Sequence, residues 1–540
     1  MDLILDSAIA LYLLLTIALL GTTFVSTYLY TSYRYTRALK PHLRSGPPKL
    51  FSPPQIPYAV PFLGNAITFL APYPGAFWTH LFSFHPPSIG SCTLLLGGRK
   101  AYILNSTAAV HALFRAKGPT RDQLTEEIFT RSLDMSEMDV RKFSSMEMDS
   151  ERLNQDFLLK TSAVNELTSK FVQVFRDVLA QSDATTEGEV GLYAWLRKRM
   201  FAASTDALMG TRLREMYPDF EDDFFAFDRD FLSFFFSLPR WTIRSAYRTR
   251  TKILDTMEEW VRRMYEECGG APMDFENDVS WEPIFGSRAM RLRHTNYVET
   301  KMSMRARAAA DLGFVFGLSS NAIPAAGWIL LHILDPQGDT TLPERVRAEL
   351  ETAKKDDGTL DIPLMLGLPL LQSILHEMLR LYVDSMVTRV LPADLTLPID
   401  EDGKRKVLLK KDGFIFAPSW LAHRDPVWTD EAPMDKFYAE RFLKADPTTG
   451  RPVFSTTAAA GKLFPFGGGK SICPGRVFAK QEVLAAVAMV LLGFEIDVSC
   501  YVDEQGKTTK SFPGFRKSFV GSGTVVMGGD FAVKIRRRMQ

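Results

Sequence analysis

Cysteine is scarce in this chain, with only Cys92, Cys268, Cys473 and Cys500 in 540 residues, widely scattered and without any C-x-x-C pairing. That argues against a disulfide framework or a paired-cysteine zinc site, and it fits a body held in a reducing, cytosol-facing compartment. An excess of charge is missing too. Lys and Arg number 64 against 63 Asp and Glu, and no basic run is interleaved with aromatics, so nucleic acid is not an expected partner. Internal repeats and low-complexity stretches are absent, which argues against a repeat architecture.

What is present begins with an uncharged segment, Ser7 to Tyr33, dominated by Leu, Ile, Ala, Thr and Tyr. As a helix it is long enough to cross a hydrocarbon core of about 30 Å. Asp2 and Asp6 precede it, whereas Arg34, Arg37, Lys40, Arg44 and Lys49 follow, so the positive-inside rule puts the body on the cytosolic side. The segment is too long for a signal-peptide core and lacks a basic leader, so a retained single-pass anchor is expected, with residues 1–45 as anchor and flank and 46–540 as the catalytic body. Gly46-Pro47-Pro48, Pro53-Pro54, Pro57 and Pro61 then form a stiff, extended strap closing on Gly64-Asn65.

The body reads as mainly α with small β-sheets. Leu94 to Leu96 and Tyr102 to Leu104 flank Gly97-Gly98-Arg99-Lys100 as a hairpin. Amphipathic helices are expected around Val164 to Leu179, Thr251 to Glu267 and Arg345 to Lys355, the last with Pro343 near its start. Short strands are expected at Val387 to Leu391, Lys406 to Leu409 and Thr524 to Met527. Between Ala308 and Leu334 an apolar helix carries Gly317 and Pro324, which predict a local distortion. Phe224 to Phe236 gathers seven phenylalanines, a pattern that suits a packed helix core and a lid over an apolar pocket equally well.

Near the C-terminus, Phe466-Gly467-Gly468-Gly469-Lys470-Ser471-Ile472-Cys473-Pro474-Gly475-Arg476 presents a cysteine from a glycine-rich loop at the mouth of a helix. Glycines allow close approach of a flat group, and the helix amides favour an anionic sulfur; a thiolate so placed can be the axial ligand of haem iron. A buried, inert cysteine is the plainer reading. The spacing of Phe466, Gly469, Cys473, Gly475 and Ala479 resembles the F-x-x-G-x-x-x-C-x-G-x-x-x-A motif of the cytochrome P450 family. The resemblance extends to Glu377 and Arg380 as E-x-x-R, to His423-Arg424-Asp425-Pro426, and to Phe437 through Phe442, and so spans most of the chain from Pro47.

The resemblance implies the cytochrome P450 fold preceded by one transmembrane helix, with haem b bound and Cys473 as the iron ligand. It implies Phe466, Gly469, Arg389 and Arg476 as further cofactor-binding residues, Arg389 reaching a haem propionate, and a structural triad of Glu377, Arg380 and Arg441. Lysine would serve that triad poorly, because only arginine offers a planar fork. In most of the family an acid–threonine pair stands over the iron; here Ser320 and Asn321 occupy those positions. That departure, with Pro324, Ser471 and the absent proline after Arg380, resembles the sterol 7α- and 12α-hydroxylases and prostacyclin synthase. No second propionate ligand can be placed between Asp139 and Lys160.

The implied activity is insertion of one atom of O2 into a lipophilic substrate, sterol- or terpenoid-like. Electrons come from NADPH through NADPH-cytochrome P450 reductase at the endoplasmic reticulum membrane. Ser320 and Asn321 are the catalytic candidates, and Lys470, Arg476 and Lys480 are a candidate docking face for the reductase. An isomerase or dehydratase that rearranges a peroxide without O2 or reductase is the alternative, since prostacyclin synthase shares the Asn-containing segment. A haem-based sensor is the third class.

Overall fold

The computed structural model describes every residue except 1, 45–46, 71–74, 147–152, 182–187, 275, 278, 430–431, 458–460, 517–520 and 539–540. Gly46 of the proline-rich strap, and part of the stretch searched for a second propionate ligand, therefore lie outside the described residues.

Helix α1, Asp2–Leu39, contains the whole uncharged segment. Residues Leu11–Leu43 are apolar and long enough to cross a membrane, with mean hydropathy 1.6 and none of the span's most apolar window buried. Its C-terminal turns are not free, however. The Thr31 hydroxyl donates to the Tyr58 carbonyl at 2.9 Å and accepts from the Tyr58 N–H at 3.2 Å, and Tyr35 reaches His85 Nδ1 at 3.0 Å. The strap after it runs along a sheet edge: the Thr93 N–H donates to the Pro54 carbonyl at 2.8 Å, and the Ile56 N–H to the Thr93 carbonyl at 2.9 Å. Proline's missing N–H suits such an edge.

That edge is β1, Ser91–Leu96, joined to β2, Arg99–Leu104, by the two-residue turn Gly97-Gly98 with φ of 56° and 81°. Positive φ at both positions is what a tight hairpin with matching twist needs, so Arg99 and Lys100 belong to the strand and not to the turn. The five-stranded sheet is completed by strands from far along the chain, introduced below.

Among the helices before the central one, the longest described in the body are α2, Thr161–Gln181; α3, Leu192–Met209; α4, Phe220–Phe235; and α5, Arg244–Glu267. Helices α2, α4 and α5 are longer than or offset from the sequence expectation, because tertiary packing extends the ends, and α3 had no counterpart in it. Helix α6, Met304–Ile333, runs unbroken through Gly317 and Pro324. The expected distortion does not interrupt it; what Pro324 removes is the N–H that would pair with the Ser320 carbonyl one turn back. Ser303 caps its start, its hydroxyl accepting from the Ala306 N–H at 3.2 Å. The α6 side chains from Ala322 through Leu331 are buried, and α3, α5, α7 (Pro369–Tyr382) and α8 (Arg476–Gly493) pack around it.

Between α7 and α8 come β3, Val383–Val390, and β4, Phe414–Pro418. After α8 follow β5, Phe494–Asp503, β6, Ser522–Thr524, and β7, Gly529–Arg537. The first sheet has the order β6-β3-β4-β2-β1, and β5 pairs with β7 in a second, antiparallel one. The expected helix at Arg345 to Lys355 is Leu342–Glu351, and of the expected strand Thr524 to Met527 only Thr524 lies in β6. The Val525 N–H continues the register by donating to the Tyr382 carbonyl at 2.8 Å, and the strand ends there because Tyr382 belongs to α7. The long β5–β7 pair had no counterpart in the sequence reading.

Candidate active site

The cysteine loop is shaped by what presses on it. Gly467 and Gly469 have φ of 71° and 67°. A Cβ on Gly468 would lie 2.4 Å from the Phe114 ring, and one on Gly469 would lie 2.5 Å from the Phe114 carbonyl oxygen. Glycine is therefore required by helix Thr107–Arg115 as well as by backbone conformation. The Cys473 N–H donates to the Phe466 carbonyl at 3.0 Å, closing the loop, and α8 begins three residues on. Arg476 Nη1 donates to the Cys473 carbonyl at 2.9 Å.

The Cys473 thiol is half-buried. Burial pushes it above its ordinary range, opposed by the N–H groups of Gly475 and Arg476 and by the charges of Arg476 and Arg121. The N–H groups at the helix mouth favour the anionic sulfur as expected, but desolvation outweighs them.

Arg121, at the start of the short helix Asp122–Glu127, was missed by the sequence reading. Protein surrounds it, which pulls its guanidinium below the ordinary range with the Cys473 sulfur opposing, yet its surface is uncovered. Its neighbour Thr120 bridges Val390 of β3, and this pairing brings it near Arg389. Arg389 donates to the Thr388 carbonyl at 2.8 Å and to the Gly468 carbonyl at 3.0 Å, tying β3 to the cysteine loop. Burial, and then repulsion from Arg121, lower its guanidinium to about 10. Among the described residues neither arginine has an acidic partner. The only signal in the sequence was an arginine just before a short acidic helix, which carries no chemistry by itself.

Two like charges held together near a thiol in a partly desolvated space form a site for a dianion. A haem supplies two carboxylates, a flat face for the glycine loop and a metal for the sulfur, so the residues present fit that group.

Asn321 of α6 is uncovered although it sits mid-way along the core helix. Its side-chain oxygen accepts from the Thr524 N–H at 2.9 Å, and a Cβ on Gly523 would come within 2.5 Å of that oxygen. The amide is therefore clamped by β6, which fixes the direction of its N–H donors. Ser320 is buried, its hydroxyl without a hydrogen bond of ordinary length. Gly317, one turn before Asn321, has open space where a Cβ would be.

Glu377, Arg380 and Arg441 come together behind the loop. Arg380 donates to both Glu377 oxygens at 2.8 Å, and Arg441 Nε lies 2.9 and 3.0 Å from the same two atoms. The Tyr438 N–H adds a third donor at 3.1 Å. Arg380 also bonds the carbonyls of His423 and Met434 at 3.0 and 2.7 Å, and Arg441 bonds those of Ala432, Pro433 and Lys436. His423 in turn accepts the Phe464 N–H at 3.1 Å through Nε2, which links the triad to the entrance of the cysteine loop.

Of the expected docking cations only Lys470 is exposed. Burial and the charge of Arg476 lower the Lys480 ammonium, which sits 5.6 Å from the centre of the Phe466 ring. It is a packing cation, not a free one.

The family model described as Cytochrome P450 matches residues 54–516. Cytochrome P450 monooxygenase calL of Penicillium decumbens is 32% identical over 72% of this chain and 71% of its own length. Cytochrome P450 monooxygenase fsoE of Humicola fuscoatra is 30% identical over 95% and 92%. Cytochrome P450 7A1 of Oryctolagus cuniculus is 26% identical over 66% and 70%. Among solved structures, a retinoic acid-bound cyanobacterial CYP120A1 shares the fold, with a TM-score of 0.62 at 19% identity, covering 90% of this chain and 99% of that one.

Proposed function

The chain belongs to the cytochrome P450 family, whose model spans residues 54–516, and we propose that it is a membrane-anchored haem-thiolate monooxygenase of a lipophilic substrate, supplied with electrons from NADPH by cytochrome P450 reductase. The observation that carries the reading is that Cys473, Arg121 and Arg389 lie within each other's electrostatic reach with no acidic partner for either arginine among the described residues. Bound there, haem b supplies activation of O2 for insertion of one oxygen atom into a C–H bond. Cys473 would hold the iron, and the N–H groups of Gly475 and Arg476 would temper the negative charge on the sulfur. Arg121 and Arg389 would hold the propionates, Phe466 and Gly469 shape the cysteine loop, and Arg476 fixes the Cys473 carbonyl. Asn321, oriented by Thr524, presents N–H donors to the oxygen side, and Ser320 offers a hydroxyl. Glu377, Arg380 and Arg441 keep this frame in register.

Helix α4 turns Phe227, Phe231 and Phe234 inward and excludes water, which favours an apolar substrate. A sterol- or terpenoid-like skeleton suits those walls, and a relative in Cricetulus griseus is named cholesterol 7-alpha-monooxygenase. The exposed apolar α1 supports residence in the endoplasmic reticulum membrane with the body in the cytosol, where such a substrate arrives from lipid. The test is twofold. Reduced protein with CO should give the red-shifted Soret band of thiolate ligation, lost in Cys473→Ser. With reductase, NADPH, isotopically heavy O2 and a panel of sterols and triterpenoids, the product should carry one heavy oxygen. Turnover without O2 or NADPH, giving unlabelled product, would replace this reading with the peroxide isomerase.

A further inference from the structure

The C-terminal end of α6 groups aromatic side chains in a way that core packing alone does not require. Trp328 and His332 stand one turn apart on α6, and both meet Tyr382, the last residue of α7. The Trp328 and Tyr382 rings stack with centroids 3.9 Å apart and planes at 16°, and the Tyr382 hydroxyl lies 2.5 Å from His332 Nε2. Trp328 and Tyr382 are buried. His332 stacks in turn on Phe437 at 4.0 Å and on Phe512 at 4.7 Å. One residue ties the stack to the oxygen side of the site: Val525 accepts from Trp328 Nε1 at 2.6 Å and donates its N–H to the Tyr382 carbonyl at 2.8 Å, directly after Thr524, whose N–H holds the Asn321 amide. Along α6 itself, Trp328 lies two turns beyond Asn321, about 10 Å.

Burial raises the Tyr382 phenol above its ordinary range and lowers the His332 imidazole to about 3. The hydrogen bond therefore runs from a phenol O–H to a neutral ring nitrogen. The charges acting on Tyr382 are Arg424, Arg380, Glu377 and Asp335, two of each sign, so their fields largely cancel at the ring. A phenol that loses an electron becomes a strong acid, and it then protonates even a buried imidazole. An indole in stacking contact, a phenol and a base for its proton are the parts of a one-electron donor. Phenylalanine at 382 would pack as well and could not serve as one.

We propose that Tyr382 is a one-electron donor to the haem site, with Trp328 as its stacked relay and His332 as the acceptor of its proton. The inference rests on the monooxygenase reading. When O2 is activated and no substrate takes up the oxygen atom, an oxidising equivalent is left that would otherwise attack the side chains of the site. Tyr382 gives up one electron by way of Trp328, its O–H bond breaks, and the proton passes to His332 Nε2, leaving a neutral phenoxyl radical and an imidazolium. At the partly exposed edge formed by His332, Phe437 and Phe512, a small one-electron reductant such as ascorbate returns the electron, and the proton goes back to the phenol oxygen. The pair is then as it began.

The test uses full-length, haem-loaded ferric protein, mixed with a peracid and rapidly frozen for electron paramagnetic resonance. In giving the carboxylic acid and water, the peracid takes up two electrons and two protons, one electron coming from the haem and one from Tyr382. A tyrosyl signal should appear, narrow when the protein is grown on ring-deuterated tyrosine, vanish in Tyr382→Phe and form more slowly in Trp328→Phe. At high field, loss of the hydrogen bond in His332→Leu should shift its largest g value. Because Tyr382→Phe keeps the stack, its melting temperature and CO spectrum should stay near wild type while its haem bleaches faster during substrate-free turnover. A merely structural Tyr382 would leave the radical signal and the bleaching rate unchanged. No tyrosyl signal in the wild type, one that survives Tyr382→Phe, or a g value unmoved in His332→Leu would overturn the proposal. Insertion of one heavy oxygen atom without a Tyr382 radical would overturn this inference alone, and a Tyr382 radical in a protein that inserts no oxygen from O2 would overturn the monooxygenase reading alone.

Discussion

Replacing Glu377 by Gln tests whether the cofactor frame depends on one buried charge. The substitution preserves volume and one carbonyl oxygen, but it removes the only acid paired with Arg380 and Arg441 among the described residues. Both guanidiniums stay charged, and the side chains of Glu377, Arg380 and Arg441 are 0%, 0% and 5% exposed, so water cannot replace the lost partner. The new amide also turns N–H donors toward one of the two forks. Leaving one partner of a buried pair uncompensated costs about 3–5 kcal/mol. That is a large part of the roughly 5–15 kcal/mol that holds a native protein together. At about 2.1 cal/mol/K of unfolding entropy per residue, a 540-residue chain loses roughly 3–5 °C of unfolding temperature for that cost. Scans at one fixed heating rate, with CO-reactive haem measured on the same samples, should show both the lower temperature and a loss of haem, because the triad is tied through His423 to the cysteine loop. Arg345→Ala is the control. Its partners Asp339 and Glu440 are partly exposed, and surface pairs of that kind contribute under about 1 kcal/mol. If Glu377→Gln unfolded at the wild-type temperature with full haem content, the reasoning from buried charge would be refuted.

Arg121→Ala combined with Arg389→Ala should speed haem transfer to apomyoglobin by an order of magnitude or more, each charged hydrogen bond being worth about 1.5–3 kcal/mol; equal transfer rates would remove both residues from the propionates. Gly469→Ala forces a Cβ to within 2.5 Å of the Phe114 carbonyl at a φ of +67°, so the variant should express with little haem, and normal occupancy would contradict the packing argument. Burial raises the Glu482 carboxyl from 4.5 to about 8. Its stabilising contribution is therefore complete below pH 4.5 and is lost as pH rises through 8. Glu482→Gln should flatten that decline in melting temperature, and an unaltered slope would count against it. Removing residues 2–25 should shift the protein from the membrane pellet to the supernatant with its CO spectrum intact, since the docked part of α1 begins at Thr31; retention in the pellet would point to another membrane contact.

Short-range chemistry was legible in the sequence. The cysteine loop is contiguous, its glycines and the helix after it are local features, and a helix spacing of three residues alone puts Glu377 beside Arg380. The uncharged segment of α1 needs only its own composition. What the sequence could not determine is set by contacts between residues far apart in the chain. Arg121 acquires meaning only because Thr120 pairs with Val390, more than 250 residues on. The demand for glycine at 468 and 469 comes from Phe114, and the orientation of Asn321 comes from Thr524. The β5–β7 pair is a non-local ladder whose half-exposed strands lack a clean alternation. Periodicity and motif spacing report what a residue does within its own element; which distant side chain completes a desolvated charge is decided only when the elements pack, because burial and pairing are properties of the assembled core.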